Sequence, residues 1–227
     1  MVVRRFVTIA LALSGALVSG CVTDSASIYI AGGVAIDSSN CSYAASTSSY
    51  TAGSAADVNL GALYGQSVMV GFAVQSLVRQ RSFAIATDPS TIVIEEAEIE
   101  LSDASGAALA GTSSFTVDVA GAVIPGSADG VAPGQGVVAV PVIPAATMVG
   151  LAGITTPTQV IAHITLRGRT NGHIDVEGGP FIWIVTLLPA GSRMATCGAG
   201  TGVSCCNPGQ DGEFYCAAPE AGCASLQ

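Results

Sequence analysis

The sequence predicts an all-β protein, an antiparallel β-sandwich of about eight strands. Three observations carry this. Apolar and polar residues alternate with period two in several segments, turn signals recur at short intervals between them, and helix signals are almost absent.

In chain order, residues 27–34 (SIYIAGGV) read as a first strand. Residues 38–57 are nearly all Ser, Thr, Ala, Gly and Tyr, with Cys41 at their start. That composition offers too little large apolar surface to pack, so a loop or a mobile edge is expected there. Residues 68–78 (VMVGFAVQSLV) form an unbroken apolar run, as in a strand buried on both faces. Arg79 and Arg81 follow, and Asp88-Pro89-Ser90 signals a turn.

Residues 92–101 alternate at their end, with Ala97, Ile99 and Leu101 on one face. Glu96, Glu98 and Glu100 fall on the other, because strand side chains repeat every second residue. A turn at Asp103-Ala104-Ser105-Gly106 leads to an alternating strand over 115–119, ended by Gly121 and Pro125-Gly126. No charged or basic side chain occurs between Asp129 and His163, but Pro133, Pro141, Pro144 and Pro157 interrupt every stretch long enough to span a membrane. Residues 136–142 are therefore a buried strand, and Pro144 opens a short helix with Met148.

Residues 160–166 alternate again, with Val160, Ala162, Ile164 and Leu166 inward and His163 and Thr165 outward. Thr170-Asn171-Gly172 supplies a hairpin turn, since Asn-Gly tolerates positive φ. Gly178-Gly179-Pro180 breaks the next segment, and residues 181–188 (FIWIVTLL) are the last strand. The spacing suits an immunoglobulin-like or fibronectin-like sandwich over residues 27–189. Residues 190–227 are rich in Gly, Ala and Cys and need disulfides to order them.

The N-terminus carries a different signal. Arg4-Arg5 precede an uncharged apolar run over 6–18, which small residues end at Cys21. This is the tripartite layout of a secretory signal peptide, with a middle too short to span a bilayer. Val18-Ser19-Gly20-Cys21 resembles the lipobox of bacterial lipoproteins. The resemblance implies cleavage after residue 20 and a lipid on Cys21, with residues 21–26 as a tether. Because Val22, not aspartate, follows the cysteine, resemblance to the sorting rule of enteric bacteria implies the outer membrane, facing the periplasm or the cell surface.

The cysteine count agrees with that reading. Seven cysteines would leave one unpaired; with Cys21 lipidated, Cys41, Cys197, Cys205, Cys206, Cys216 and Cys223 remain as a disulfide framework. Adjacent Cys205 and Cys206 are poor partners for each other. Cys41 is expected to pair with a tail cysteine and stitch the tail across the domain.

Charge bounds the partners. Beyond residue 20, five arginines stand against sixteen acids, a formal charge of −11, and the chain has no lysine. Such a surface excludes nucleic acid, whose binding needs clustered cations.

Catalytic groups are scarce. The only histidines are His163 and His173, which flank a hairpin and could lie side by side near Asp175 or Glu177. They are the weak site candidate, a triad requiring a nucleophile beside a histidine that a carboxylate orients. No Gly-x-Ser-x-Gly elbow is present. The cysteine spacing does not suit structural zinc. Calcium on Glu96, Glu98 and Glu100, or on Asp211 and Glu213, would lack the usual Asp-rich loop, and Arg79, Arg167 or Arg169 are in place to neutralise the glutamates across the ladder. No cofactor or catalytic residue is expected.

The stretch Leu166-Arg167-Gly168-Arg169-Thr170-Asn171-Gly172, followed by Glu177 and Phe181, resembles a recurring segment of uncharacterised myxobacterial lipoproteins. Those proteins also begin with a lipobox, continue into a β-rich domain and end in a short cysteine-rich tail. Gly209-Gln210-Asp211-Gly212 ahead of Cys216 is similar to such tails. The group has no known activity, so the resemblance implies an architecture and carries over no functional residue. The expectation is a non-catalytic, membrane-anchored envelope lipoprotein with a structural, adhesion or binding role toward an envelope protein or polysaccharide. The alternatives are a polysaccharide-binding module, with Tyr43, Tyr50, Tyr64, Trp183 and Tyr215 as the aromatic candidates, and a hydrolase using the two histidines.

Overall fold

The computed structural model describes residues 27–34, 36–37, 42–43, 50–51, 55–59, 67–80, 88–109 and 113–189. The strands are β1 (Ile28–Val34), β2 (Ile36–Asp37), β3 (Ser42–Tyr43), β4 (Tyr50–Thr51), β5 (Ala55–Asn59) and β6 (Val68–Ser76). There follow β7 (Ile92–Asp103), β8 (Ser114–Val123), β9 (Gly134–Ile143), helix α1 (Ala145–Leu151), β10 (Thr158–Thr170), β11 (Asp175–Glu177) and β12 (Phe181–Leu188). The all-β class holds. The two separate sheets of an immunoglobulin-like sandwich are not what the pairing gives. A single sheet runs in the order β4-β1-β6-β9-β8-β7-β10-β12-β5, with β11 hydrogen-bonded to β10. Every pairing in it is antiparallel except β5 on β12.

The sheet rolls until it is nearly a barrel. Its outermost strands, β4 on β1 and β5 on β12, are separated by only three residues of chain. Thr51 and Ala55 can therefore stand no more than about 14 Å apart, so β1 and β12 must face each other across the seam. A parallel bridge between Ile28 and Gly178 closes the same seam at its other end. Short strands thus lie within residues 38–57, where a loop or a mobile edge was expected, and β4 and β5 are the edges of the sheet. β4 and β5 form by backbone pairing at the free edges of β1 and β12.

Alternation explains which faces are buried. In β10, Val160, Ala162, Ile164 and Leu166 are buried while His163 and Thr165 look outward. In β7 the buried positions switch from even (Ile92, Ile94) to odd (Ala97, Ile99, Leu101). A one-residue slip would turn the second set outward; a bulge between Ile94 and Glu96 absorbs the extra residue and keeps both sets inside. β6 is buried on both faces, as its apolar run predicts. Phe72 and its neighbours fill the interior, while on the outer side the Tyr43 ring lies over Gly71, where a Cβ would stand 2.3 Å from it. β8 continues through Gly121 to Val123, beyond the end expected at that glycine. It pairs with β9 only over residues 120–123. Pro141, which has no N–H to donate, lies in the part of β9 that β8 does not reach.

Inside is one cluster of Val, Ile and Leu around three aromatic rings. Phe72 meets Trp183 edge-on, centroids 5.3 Å apart at 87°, and Phe181 at 5.8 Å and 70°. Trp183 is buried, so core packing is its role, and its indole N–H has no acceptor among the described residues.

Aspartates fix two turns. The Asp103 carboxylate accepts the Ser105 hydroxyl (2.6 Å) and the Ser105 and Ala107 amides (2.8 and 3.0 Å), while Gly106 takes a φ of 83°. Asp129 accepts the Ser127 hydroxyl and the Val131 amide. These bonds hold both carboxyls below their ordinary value of 3.8, the Ser105 and Ser127 hydroxyls being the largest causes. Helix α1 follows Pro144, which occupies the N-cap position ahead of the first turn, and the Ser67 hydroxyl accepts the Ala145 amide at 3.1 Å.

Two outcomes are expected. Phe72→Ala should cost about 3–5 kcal/mol, because it removes the ring that both other aromatics pack against. A lower denaturation midpoint and red-shifted emission from Trp183, the sole tryptophan, would report it. Because depressed folded-state pKa values stabilise only above the unfolded value, the two aspartate turns contribute fully above about pH 5. That contribution is lost as pH falls through 3.8 and below, so urea midpoints should drop across this window. Asp103→Asn and Asp129→Asn should each flatten the drop; an unchanged slope would remove these groups from the account.

Candidate functional site

The strongest concentration of charge lies on the outer face of β8, β7 and β10. The β7 register places Glu100 opposite Ser114 and His163, and Glu98 opposite Thr116 and Thr165. Glu96 stands opposite Asp118 and Arg167. Three glutamates thus form a column, with Ser114, Thr116 and Asp118 on one side and His163, Thr165 and Arg167 on the other. Among the described residues, neutralisation of the glutamate column across the ladder is the work of Arg167: its guanidinium meets Glu98 at 2.7 Å and, on β11, Glu177 at 3.4 Å. Arg169 pairs with Asp175 at 3.0 Å, and this bond holds its guanidinium still more firmly charged. Arg79 lies elsewhere, against Gly130 and near Asp129. All three ion pairs are solvent-exposed, where screening leaves them little energy; they order the wall rather than hold the fold.

The two histidines do not come together. His163 sits in the middle of β10 between Glu100 and Ile182. His173 lies in the β10–β11 turn, about 23 Å of strand further along at roughly 3.3 Å per residue. Asp175 is engaged by Arg169 and Glu177 by Arg167, so neither carboxylate orients an imidazole. The row Ser114-Glu100-His163 contains the three residue types of a triad in the wrong order. The acid stands between serine and histidine, which two strand spacings put roughly 10 Å apart. No three carboxylates or imidazoles converge to hold a metal among the described residues. Cys21 and the cysteines at 41, 197, 205, 206, 216 and 223 lie outside the described residues, as do Tyr64, Tyr215, Asp211 and Glu213.

His173 has a backbone role instead. The turn is not the two-residue Asn-Gly turn with positive φ that the sequence suggests. Its amide bonds to the Thr170 carbonyl (2.8 Å), and the positive φ falls on His173 itself, at 61°. Thr170 then accepts nothing further from the turn through its carbonyl but receives the Ile174 amide on its hydroxyl at 3.1 Å. This is the longer hairpin loop, in which the residue after the turn is left-handed and is usually glycine.

One feature escaped the sequence reading. Leu77, Ile124, Val131 and Ile174 are large, apolar and exposed, and all sit at strand ends or in turns. Their signal was present, since turns normally carry Gly, Asn, Asp or Ser. It shows only once the turns are placed beside one another.

Compared with known proteins, the chain matches no family model and no curated protein. The wall can act through charge: it repels polyanions and concentrates cations. His173→Gly tests whether the imidazole is more than a strained turn residue. Relief of the left-handed strain should raise unfolding stability by about 0.5–1 kcal/mol in denaturant titrations. A loss of stability would show that the imidazole makes a contribution of its own.

Proposed function

We propose that the chain is a non-catalytic lipoprotein of the bacterial cell envelope. Acyl chains on Cys21 hold it at the outer membrane, and the rolled β domain serves as a structural, adhesive or binding module. The observation that carries this is the lipobox-like Val18-Ser19-Gly20-Cys21 at the end of an apolar run, followed within seven residues by Ile28, the first residue of β1. Two acyl chains suffice for stable anchoring at about 0.8 kcal/mol per buried CH₂. The scattered histidines and the arginine-bound acids favour a binding or structural role over hydrolysis.

The remaining cysteines are proposed to be disulfide-bonded, with Cys41 paired to the tail. Asp37 and Ser42, which flank Cys41, pair in a ribbon beyond the end of β1, and β12 ends at the same pole with Leu188. That common pole supports the pairing.

The anchor has a direct test. In fractionated cells the wild-type chain should sediment with membranes and yield an N-terminal peptide carrying lipid by mass spectrometry. Cys21→Ala should appear in the soluble fraction; continued membrane association of that variant would overturn the anchor. Protease shaving of intact cells then assigns the domain to the surface if it is digested, or to the periplasm if it is protected.

A further inference from the structure

Because neighbouring strands are paired in register, the ends of the sheet are easily mapped. Ile28 pairs with Ser76, Ser76 with Gly134, Val123 with Gly136 and Ile92, and Ile92 with Thr170. The start of β1, the end of β6, the start of β9, the end of β8, the start of β7 and the end of β10 therefore share one pole. Leu77, Ile124, Val131 and Ile174 all lie at this pole, these residues being 60%, 61%, 82% and 59% exposed. Tyr29 and Val93, one residue inside the ends of β1 and β7, add to the same apolar rim.

We infer that this pole rests on the surface of the membrane that holds the lipid on Cys21, with its apolar turn residues dipping among the lipid headgroups. This rests on the anchor reading above and goes further, by giving the domain an orientation. Two observations select a lipid surface as the occupant. First, β1 begins at this pole, so the seven-residue stretch from Cys21 to Ile28 can hold the pole no more than about 25 Å from its lipid. The opposite pole, with α1 and the ends of β9 and β12, is a full strand length further away.

Second, two of the three acids at this pole stand beside an arginine. At this pole Asp175 is paired with Arg169, and Asp129 lies beside Arg79 with its carboxylate taken by Ser127 and Val131. Asp88 keeps its charge there without an ion pair among the described residues, its carboxylate accepting the Ser90 amide. Glu96, Glu100 and Asp118, which make no ion pair among the described residues, stand on the side wall, where anionic headgroups do not oppose them. An exposed apolar rim within reach of the proposed lipid anchor suits interfacial insertion.

The test uses the full lipidated chain in vesicles of phosphatidylethanolamine and phosphatidylglycerol. A small environment-sensitive fluorophore replaces Val131 in one sample and Thr116, on the side wall, in another. Spin-labelled lipid should quench the fluorophore at 131 at least threefold more than that at 116, and aqueous iodide should do the reverse. In a Leu77→Ser, Ile124→Ser, Ile174→Ser variant the protein should still float with vesicles through its anchor. Its lipid quenching at 131 should fall to the level seen at 116.

Quenching at 131 by iodide and not by lipid, in protein whose N-terminal peptide carries lipid, would overturn the orientation and leave the anchor standing. Protection from both quenchers would also overturn it, showing that a second copy or another part of this chain covers the pole. Absence of lipid on Cys21 would overturn the anchor reading and the orientation with it.

Discussion

The rolled sheet depends on how closely β1 can approach β12. The tip of the Trp183 indole fills the space where Gly33 has no side chain, and a Cβ there would stand 2.6 Å from the ring. Any larger residue at position 33 would push β1 outward. The seam would open at the place where β4 and β5 have only three residues to bridge it. On the interior side, Phe72 holds the indole edge-on and ties β6 to β12 across the core. The tryptophan gives up a hydrogen bond for this position, so far as the described residues show, at a cost of about 1–3 kcal/mol. Contacts to two aromatic rings and full burial of its own offset that cost.

How much of this was legible depends on which physical signal each element uses. β7, β10 and β12 were readable because alternate residues must choose between oil and water, and that choice is written in the side chains. Even the β7 bulge leaves a trace, in the shift of apolar positions from Ile92 and Ile94 to Ala97 and Ile99. Whether the strands form two sheets or one rolled sheet leaves no such trace, since both arrangements bury the same alternate residues. β4 and β5 were illegible for a different reason. Residues such as Ala55, Ala56 and Asp57 form a strand because β12 offers a free edge, and backbone hydrogen bonds carry no sequence signature.

The candidate site was legible as chemistry and illegible as geometry. The alternation correctly puts Glu96, Glu98 and Glu100 on one face, but register decides which of them meets an arginine. Arg167 faces Glu96 across the ladder and reaches diagonally to Glu98, a step that long side chains allow and spacing alone does not reveal. His163 and His173 look close when the turn is read as a tight Asn-Gly hairpin between them. The hairpin closes at Thr170, however, and His173 is consumed by the turn itself. Seven positions of one strand separate the pair, so ten residues of sequence become a distance no shared proton or metal can cross.

Orientation is what joins these parts into a functional picture. β7 and β10, of 12 and 13 residues, run the length of the domain, about 40 Å at roughly 3.3 Å per residue. With the apolar turns on the membrane, these strands stand away from it and carry the acidic column outward like a flank. In that orientation Arg79 and Arg169 face the bilayer together with Asp88, Asp129 and Asp175, and Glu96, Glu100 and Asp118 meet solvent. In the proposed orientation the far pole, where β12 ends at Leu188 and the cysteine-rich residues follow in sequence, is the end turned away from the lipid. If the near pole rests on lipid as proposed, the far pole and the acidic flank are the surfaces left open to solvent.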